Sequence, residues 1–160
     1  MIQTFYDQMA PFYHLVYVDW EQAIQQQAAQ LDTVIRDEWG ANHQTILDVS
    51  CGIGTQALGL AQRNYQVTAS DLSPVEIERA KTEAQQRGLT IPFSVADMRQ
   101  AHTHHQAQFD LVIACDNAVP IYSPRPISCR RFNNFMPALA PVAVSCLPYE
   151  IMKKRIAKPK

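Results

Sequence analysis

Hydrophobic positions along this chain change their period several times, and each change marks an element. Between Glu21 and Trp39 the apolar residues Ile24, Ala28, Leu31 and Ile35 recur at spacings of three and four, one face of an amphipathic helix that closes at Gly40. Thr45–Ser50 is a short apolar, β-branched run that meets a glycine-containing turn, and a helical pattern returns from Thr55 to Arg63 through Ala57, Leu58 and Ala61. A second strand-like run, Tyr65–Ser70, is followed by Asp71. Ser73 then stands as an N-cap with Pro74 at the first helical position and Glu76 at the third, and this helix extends to about Gly88. Ile91–Ala96 and Phe109–Cys115 read as two further strands, followed by Asp97 and Asp116 respectively.

Strands alternating with helices predict an α/β, Rossmann-like domain: a parallel sheet with helices on both faces. Strands that point the same way collect the residues after them along one edge, where ligands bind. Here those residues are Ser50 to Gly54, Asp71, Asp97 and Cys115 to Asn117.

Composition narrows the picture without redirecting it. The 160 residues, 47% of them hydrophobic, suffice for one modest core and a single domain. A formal net charge of −1 gives no reason to expect nucleic acid or an anionic membrane as partner. No apolar run approaches the roughly 18 residues of a membrane span, and the N-terminal segment lacks a basic leader, so the expected location is the cytosol. Cys51, Cys115, Cys129 and Cys146 show no C-x-x-C spacing, which argues against a zinc site and a disulfide framework. His102, His104 and His105 form a histidine-rich loop before a strand, with no Cys or acid at ligand spacing, so no metal site is expected.

The chemistry concentrates at Asp48-Val49-Ser50-Cys51-Gly52-Ile53-Gly54-Thr55. Glycines at 52 and 54 allow a tight turn and close approach of a ligand to the backbone, and the helix that follows offers free N–H groups. Nicotinamide and flavin enzymes use the same kind of turn for a pyrophosphate, so the carboxylates must decide. Asp48, immediately before the turn, would repel a pyrophosphate but suits the ammonium group and positive field of S-adenosylmethionine. Asp71 can accept hydrogen bonds from ribose hydroxyls, and an acceptor at Asp97 can take one from an exocyclic adenine amine.

On these residues the chain resembles the class I S-adenosylmethionine-dependent methyltransferases. ILDVSCGIGT is similar to their first motif, VTASDLSP to the acidic motif of the second strand, VADMRQ to the adenine motif and FDLVIACDNAVP to the fourth. The resemblance implies that Asp48, Gly52 and Gly54 contact the methionine part, Asp71 the ribose, and Asp97 with Met98 the adenine, with Cys51 and Leu72 also among the cofactor-binding residues. It places the Cys115 backbone and Asn117 towards the methyl group. The segment FYDQMAPFYHLVY resembles the cap of small-molecule members, including glycine and sarcosine N-methyltransferases, with Tyr13 as the candidate contact; plain packing by Tyr6, Tyr13 and Tyr17 is the other reading. The implied reaction is methyl transfer to a small-molecule acceptor, with an amine as one candidate. No catalytic residue is assigned: Asp116 reads equally as a base or a solvated loop carboxylate, because such transfers can proceed by alignment and desolvation. A non-catalytic cofactor-binding remnant and a nicotinamide-dependent reductase are the competing readings.

The pattern changes near residue 120. Residues 1–120 hold fourteen acids and six bases, residues 121–160 one acid, Glu150, and eight bases; seven of ten prolines lie at or after Pro120, and no glycine lies beyond Gly88. The expected organisation is therefore a methyltransferase domain over 1–120, divided into a cap over 1–40 and a cofactor-binding core over 41–120, then an atypical basic, proline-rich tail over 121–160. The fold is expected to be incomplete after its fourth strand, which would expose a sheet edge and depress solubility and activity. A one-base shift of the reading frame after Pro120 accounts for the break. Shifted back, the codons of Cys129, Phe132 and Phe135 acquire a middle T, as can that of Leu139, and codons with a middle T encode apolar residues at helical spacing. A divergent native C-terminus is the alternative.

Overall fold

The computed structural model describes residues 2–42 and 44–115. The readings placed on Asp116, Asn117, Cys129, Cys146 and the 121–160 tail, the frame shift included, lie outside the described residues. Helix α1 (Ile2–Met9) leads through a 3-10 turn (Tyr13–Val16) to the long helix α2 (Trp20–Trp39). Then follow β1 (Thr45–Asp48), α3 (Thr55–Gln62), β2 (Gln66–Asp71), α4 (Pro74–Gln86), β3 (Phe93–Val95), α5 (Ala101–His105) and β4 (Leu111–Ile113). The four strands form one sheet in the order β3-β2-β1-β4, and every pairing is parallel. This is the expected α/β, Rossmann-like arrangement. From β1 the chain steps outward to β2 and β3, then returns across the sheet to β4. The right-handed rule for parallel crossovers therefore sends the β3–β4 connection over the opposite face from α3 and α4. The reversal point lies between β1 and β4, beside the turn that follows β1.

Local chemistry sets the boundaries. Helix α2 begins one residue earlier than its apolar period suggests, because the Asp19 carboxylate caps it by accepting from Gln22 N–H at 2.9 Å. Ser73 caps α4 through Glu76 N–H as expected. Strand β3 is shorter than the run Ile91–Ala96, since Pro92 carries no N–H to extend the ladder. The expected histidine loop is instead the short helix α5, nucleated on the fully buried Ala101. Its His105 Nε2 lies 3.2 Å from the Ser70 hydroxyl and His104 Nε2 2.9 Å from that of Ser94, so this segment is tied to β2 and β3.

The core lies between the sheet and helices α2, α3 and α4. Ile46, Leu111 and Ile113 from the strands pack with Leu31 and Ile35 of α2, Ala57 and Leu60 of α3 and Ile77 of α4. The predicted face of α2 is the buried one, with Gln27 added: its side-chain oxygen accepts from Gln56 of α3 at 2.7 Å. Helices α2 and α3 approach so closely that a Cβ at Gly59 would stand 2.6 Å from both the Ala28 Cβ and the Ile24 carbonyl. At the far end of the strands Asp110 joins β4 to β1, its carboxylate accepting from the Gln44 and Thr45 N–H groups at 2.9 Å each. The sheet's opposite, carboxyl edge is thereby left to carry the site.

Candidate functional site

Strand β1 ends in Asp48, which is fully buried and accepts from Ser50 N–H at 3.2 Å. The chain then reverses: Cys51 N–H donates to the Ser70 carbonyl at 3.1 Å and Gly54 N–H to the Cys51 carbonyl at 2.8 Å. Gly52 (φ +52°) and Gly54 (φ +96°) both occupy the left-handed region, and a Cβ on Gly54 would also press on Leu58 at 3.3 Å. The turn delivers the N-terminus of α3 to the sheet edge, with the partial positive charge that such an end carries. Cys51 is buried, and burial first, then the charges of Asp48, Asp71 and Glu76, pushes its thiol well above the ordinary range. It therefore remains a neutral thiol that fills the turn.

Asp71 is the last residue of β2 and reaches the same turn. One carboxylate oxygen accepts from Gly52 N–H at 2.9 Å and the other from Ser73 N–H at 3.0 Å. Burial raises its pKa, while the N–H groups of Ser73 and Gly52 oppose that rise. Asp71 stays partly exposed, as does Leu72 beside it. Asp97, after β3, caps a 3-10 turn (Met98–Gln100) by accepting from Arg99 N–H at 2.9 Å. Both Asp97 oxygens also pair with the Arg99 guanidinium, whose hydrogen bonds hold the carboxyl below its usual range. Met98 is buried behind it.

Cys115 is buried just past β4, on the other side of β1 from Asp71. Tyr13 is half-buried in the 3-10 turn with its ring centroid 6.5 Å from that of Tyr6. Burial, then the charges of Glu76 and Asp71, raise the Tyr6 phenol, which places α1 against the acidic edge. The structure thus joins Gly52 and Asp71 directly and puts Asp48 and Cys51 one step away, while the Asp97 contacts run to Arg99. One group escaped sequence reasoning. Glu76 is only 3% exposed, and burial, with the charge of Asp71 next, pushes its carboxyl up to about 8. The sequence reading placed it only as the third helical residue after the Ser73 cap; the signal that could have found it is that position 76 falls on the buried stripe of α4 with Ala80 and Ala84.

These residues suit a cationic nucleoside better than a pyrophosphate. The turn carries no basic side chain, its floor is the buried Asp48, and an acid ends or follows each of the first three strands. The Ser50 hydroxyl, buried beside the turn, has no hydrogen-bond partner among the described residues, which leaves it available to a ligand there.

Comparison with known proteins adds a family. Residues 46–139 match the family described as a methyltransferase domain. A 2-heptyl-1-hydroxyquinolin-4(1H)-one methyltransferase of Mycobacteroides abscessus is 38% identical over 77 residues, which are 48% of this chain and 34% of that protein. A ubiquinone biosynthesis O-methyltransferase of an Azoarcus species is 28% identical over 95 residues, 56% of this chain and 41% of that one. The matches therefore span well under half the length of these curated relatives. Among solved structures, an S-adenosylmethionine-dependent methyltransferase from Clostridium acetobutylicum superposes with a TM-score of 0.51 over 69% of this chain and 43% of that chain, at 21% identity, a likeness of fold.

Proposed function

Since the chain belongs to the methyltransferase-domain family, we propose that its carboxyl edge is an S-adenosylmethionine site and that the protein methylates a small-molecule acceptor. The observation that carries this reading is the join between the glycine turn and an acid: Gly52 N–H on the Asp71 carboxylate, above the buried Asp48. S-adenosylmethionine, when bound, supplies a methyl group on a positively charged sulfur.

The residues of this chain bind and orient. Asp48 sets a negative potential under the turn, which favours the ammonium end of the ligand. Gly52 and Gly54 let the ligand approach the backbone, Asp71 offers an acceptor to a ribose hydroxyl, and Asp97 with Met98 borders the adenine. Tyr13 is carried by the cap beside Tyr6, and Cys115 stands at the reversal point just past β4. Asn117 completes the set by resemblance. These residues supply alignment and exclusion of water. Methyl transfer to a hydroxyl breaks the methyl–sulfonium bond, forms the O–C bond and releases the hydroxyl proton, which passes to solvent when the acceptor ionises before transfer.

For the acceptor, a hydroxyl takes precedence over the amine suggested by resemblance, because a relative is named as an O-methyltransferase. Calorimetry with S-adenosylhomocysteine, followed by methyl transfer to phenolic and amine acceptors, tests the reading. Binding with turnover is the expected result. Binding without turnover favours a cofactor-binding remnant, and saturable binding of NADH in place of S-adenosylhomocysteine overturns the assignment. Sequencing the gene across codons 118–122 tests the proposed frame shift, which an unbroken frame shared with a closely related gene overturns.

A further inference from the structure

Glu76 has no role in the site as the family resemblance draws it, yet it occupies the centre of the acidic edge. It stands in the first turn of α4, and its Oε1 would lie 3.6 Å from a Cβ placed on Gly52, so its carboxyl packs directly beneath the cofactor turn. Its carboxyl and that of Asp71 converge on Gly52, whose N–H the Asp71 carboxylate accepts at 2.9 Å, and each bears on the ionisation of the other. Two buried carboxyl groups brought together in this way are not both ionised, so one keeps a proton that it can donate to the other.

The surroundings assign that proton. Asp71 accepts from backbone N–H groups, which favour its ionised form, whereas the groups acting on Glu76 are the negative charges of Asp71 and of Asp7 from α1. Tyr6 of α1 and the Cys51 thiol are the other titratable groups that sense this position, and both are neutral, raised first by burial. On α4 itself the cation one turn along, Arg79, is taken by Glu83 and the Pro11 carbonyl. Glu76 is the protonated member.

We propose that Glu76 is a positioning residue of this site: the proton it shares with Asp71 keeps the Asp71 carboxylate turned onto Gly52 N–H, so that the glycine turn and the ribose acceptor are held as one unit. The inference rests on the cofactor reading above. No bond to the ligand is involved; the proton stays on Glu76 and the hydrogen bond to Asp71 does the work. Once that proton is lost, the two carboxylates repel, Asp71 swings from the turn and the cofactor site loosens.

The test uses two variants of the full chain and S-adenosylhomocysteine, which lacks the sulfonium charge, so its affinity reads the geometry of Asp71 rather than attraction to an added anion. Glu76→Gln keeps an N–H donor and loses the titration; Glu76→Leu loses both. Between about pH 6.5 and about pH 8.5 the native affinity is expected to fall about threefold, the Gln variant to stay flat and within about threefold of the native value at the lower pH, and the Leu variant to bind about tenfold more weakly throughout, the effect of one lost charge-assisted hydrogen bond. Infrared titration without ligand gives an independent readout: a protonated carboxyl signal that vanishes near pH 8 in the native chain and is missing in both variants. A Leu variant that binds like the native chain, a native pH profile that survives in the Gln variant, or an absent carboxyl signal overturns the proposal. Failure of the native chain to bind at any pH, with the infrared signal present, overturns the cofactor reading and with it this role of Glu76.

Discussion

Helix α4 carries two buried glutamates two turns apart, and their neighbourhoods are opposite. Glu83, 8% exposed, is held by two cations: Arg79 Nε donates to it at 2.8 Å and Arg87 at 2.5 Å. Both guanidiniums also lie over the Trp20 ring, 5.7 and 5.4 Å from its centroid, while Arg79 reaches the Pro11 carbonyl at 3.1 Å and Arg87 reaches Glu21 at 2.7 Å. This cluster clasps the N-terminal segment and the start of α2 onto α4. Despite its burial Glu83 has a lowered pKa, because the hydrogen bonds and charges of the two arginines outweigh desolvation. Glu76 has no cation among the described residues, and burial, then the charge of Asp71, pushes it up to about 8. One buried glutamate is neutralised by partners and serves the fold; the other is neutralised by a proton and leaves a negative, ligand-seeking edge.

The largest expected effect breaks the paired side. Glu83→Ala takes the shared carboxylate from two partly buried arginines, and we expect a loss of about 2–3 kcal/mol, below the full cost of a deeply buried pair because both guanidiniums keep some solvent and a second partner, the Pro11 carbonyl for Arg79 and Glu21 for Arg87. Denaturant unfolding measures it, and S-adenosylhomocysteine affinity of the folded variant should remain within about threefold of the native value. A loss under about 0.5 kcal/mol would reduce the clasp to surface ion pairs.

The second prediction follows from the opposed pKa shifts. A carboxyl lowered by folding, as in Glu83, contributes stability above its unfolded pKa that is lost as pH falls through the folded value. One raised by folding, as in Glu76, contributes stability that is full below its unfolded pKa and is lost as pH rises through its folded value of about 8. The native chain should therefore lose stability from about pH 5 towards about pH 8, and Glu76→Gln should remove that slope and gain on the order of 1–2 kcal/mol at the upper end. Thermal unfolding across this range in both proteins decides it; parallel curves would contradict the assignment of the proton to Glu76.

The difference between the two sites also marks what the sequence disclosed. Every strand and each of the helices from α2 to α4 follows from local patterns: the Ile24–Ala28–Leu31–Ile35 face, the β-branched runs, and the Ser73–Pro74 start. The ends of the strands, and hence Asp48, Asp71 and Asp97 along one edge, follow from parallel topology alone. What stayed hidden depends on partners distant in the chain. Nothing near Gly59 announces that Ala28 and Ile24 lie 2.6 Å from its absent Cβ, and Trp20 gives no local sign of its two arginines. Glu76 went without a role for the same reason. A glutamate three residues after an N-cap serine ordinarily folds back on the cap in water, and only the arrival of Asp71 and α1 turns it into a buried acid.

Two smaller substitutions sharpen the contrast. Trp20 links the clasp to the cofactor turn, since its Nε1–H donates to the Thr55 hydroxyl at 2.9 Å at the start of α3. Trp20→Phe keeps a ring under the arginines but removes that donor and weakens the cation–π contact, for an expected loss of about 1 kcal/mol by denaturant unfolding. No change at all would mean that the clasp and the turn are mechanically separate.

The smallest effect belongs to Arg99, which sits at the edge yet pairs its acid in the manner of the clasp. Asp97 is lowered chiefly by hydrogen bonds from Arg99, so the pair contributes stability above the ordinary aspartate range and loses it as pH falls. The Arg99 side chain is 55% exposed, which limits the stability cost of Arg99→Ala to under about 0.5 kcal/mol. Its effect on the ligand should have the opposite sign. With the guanidinium gone, the Asp97 carboxylate is released from its bidentate partner and becomes a freer acceptor for an adenine amine, so S-adenosylhomocysteine should bind about twofold to threefold more tightly, or less than about 1 kcal/mol. Calorimetry on the native chain and the variant reads this directly. Weaker binding would instead assign Arg99 to orienting Asp97, and the edge would then hold one acid set by a cation beside one set by a proton.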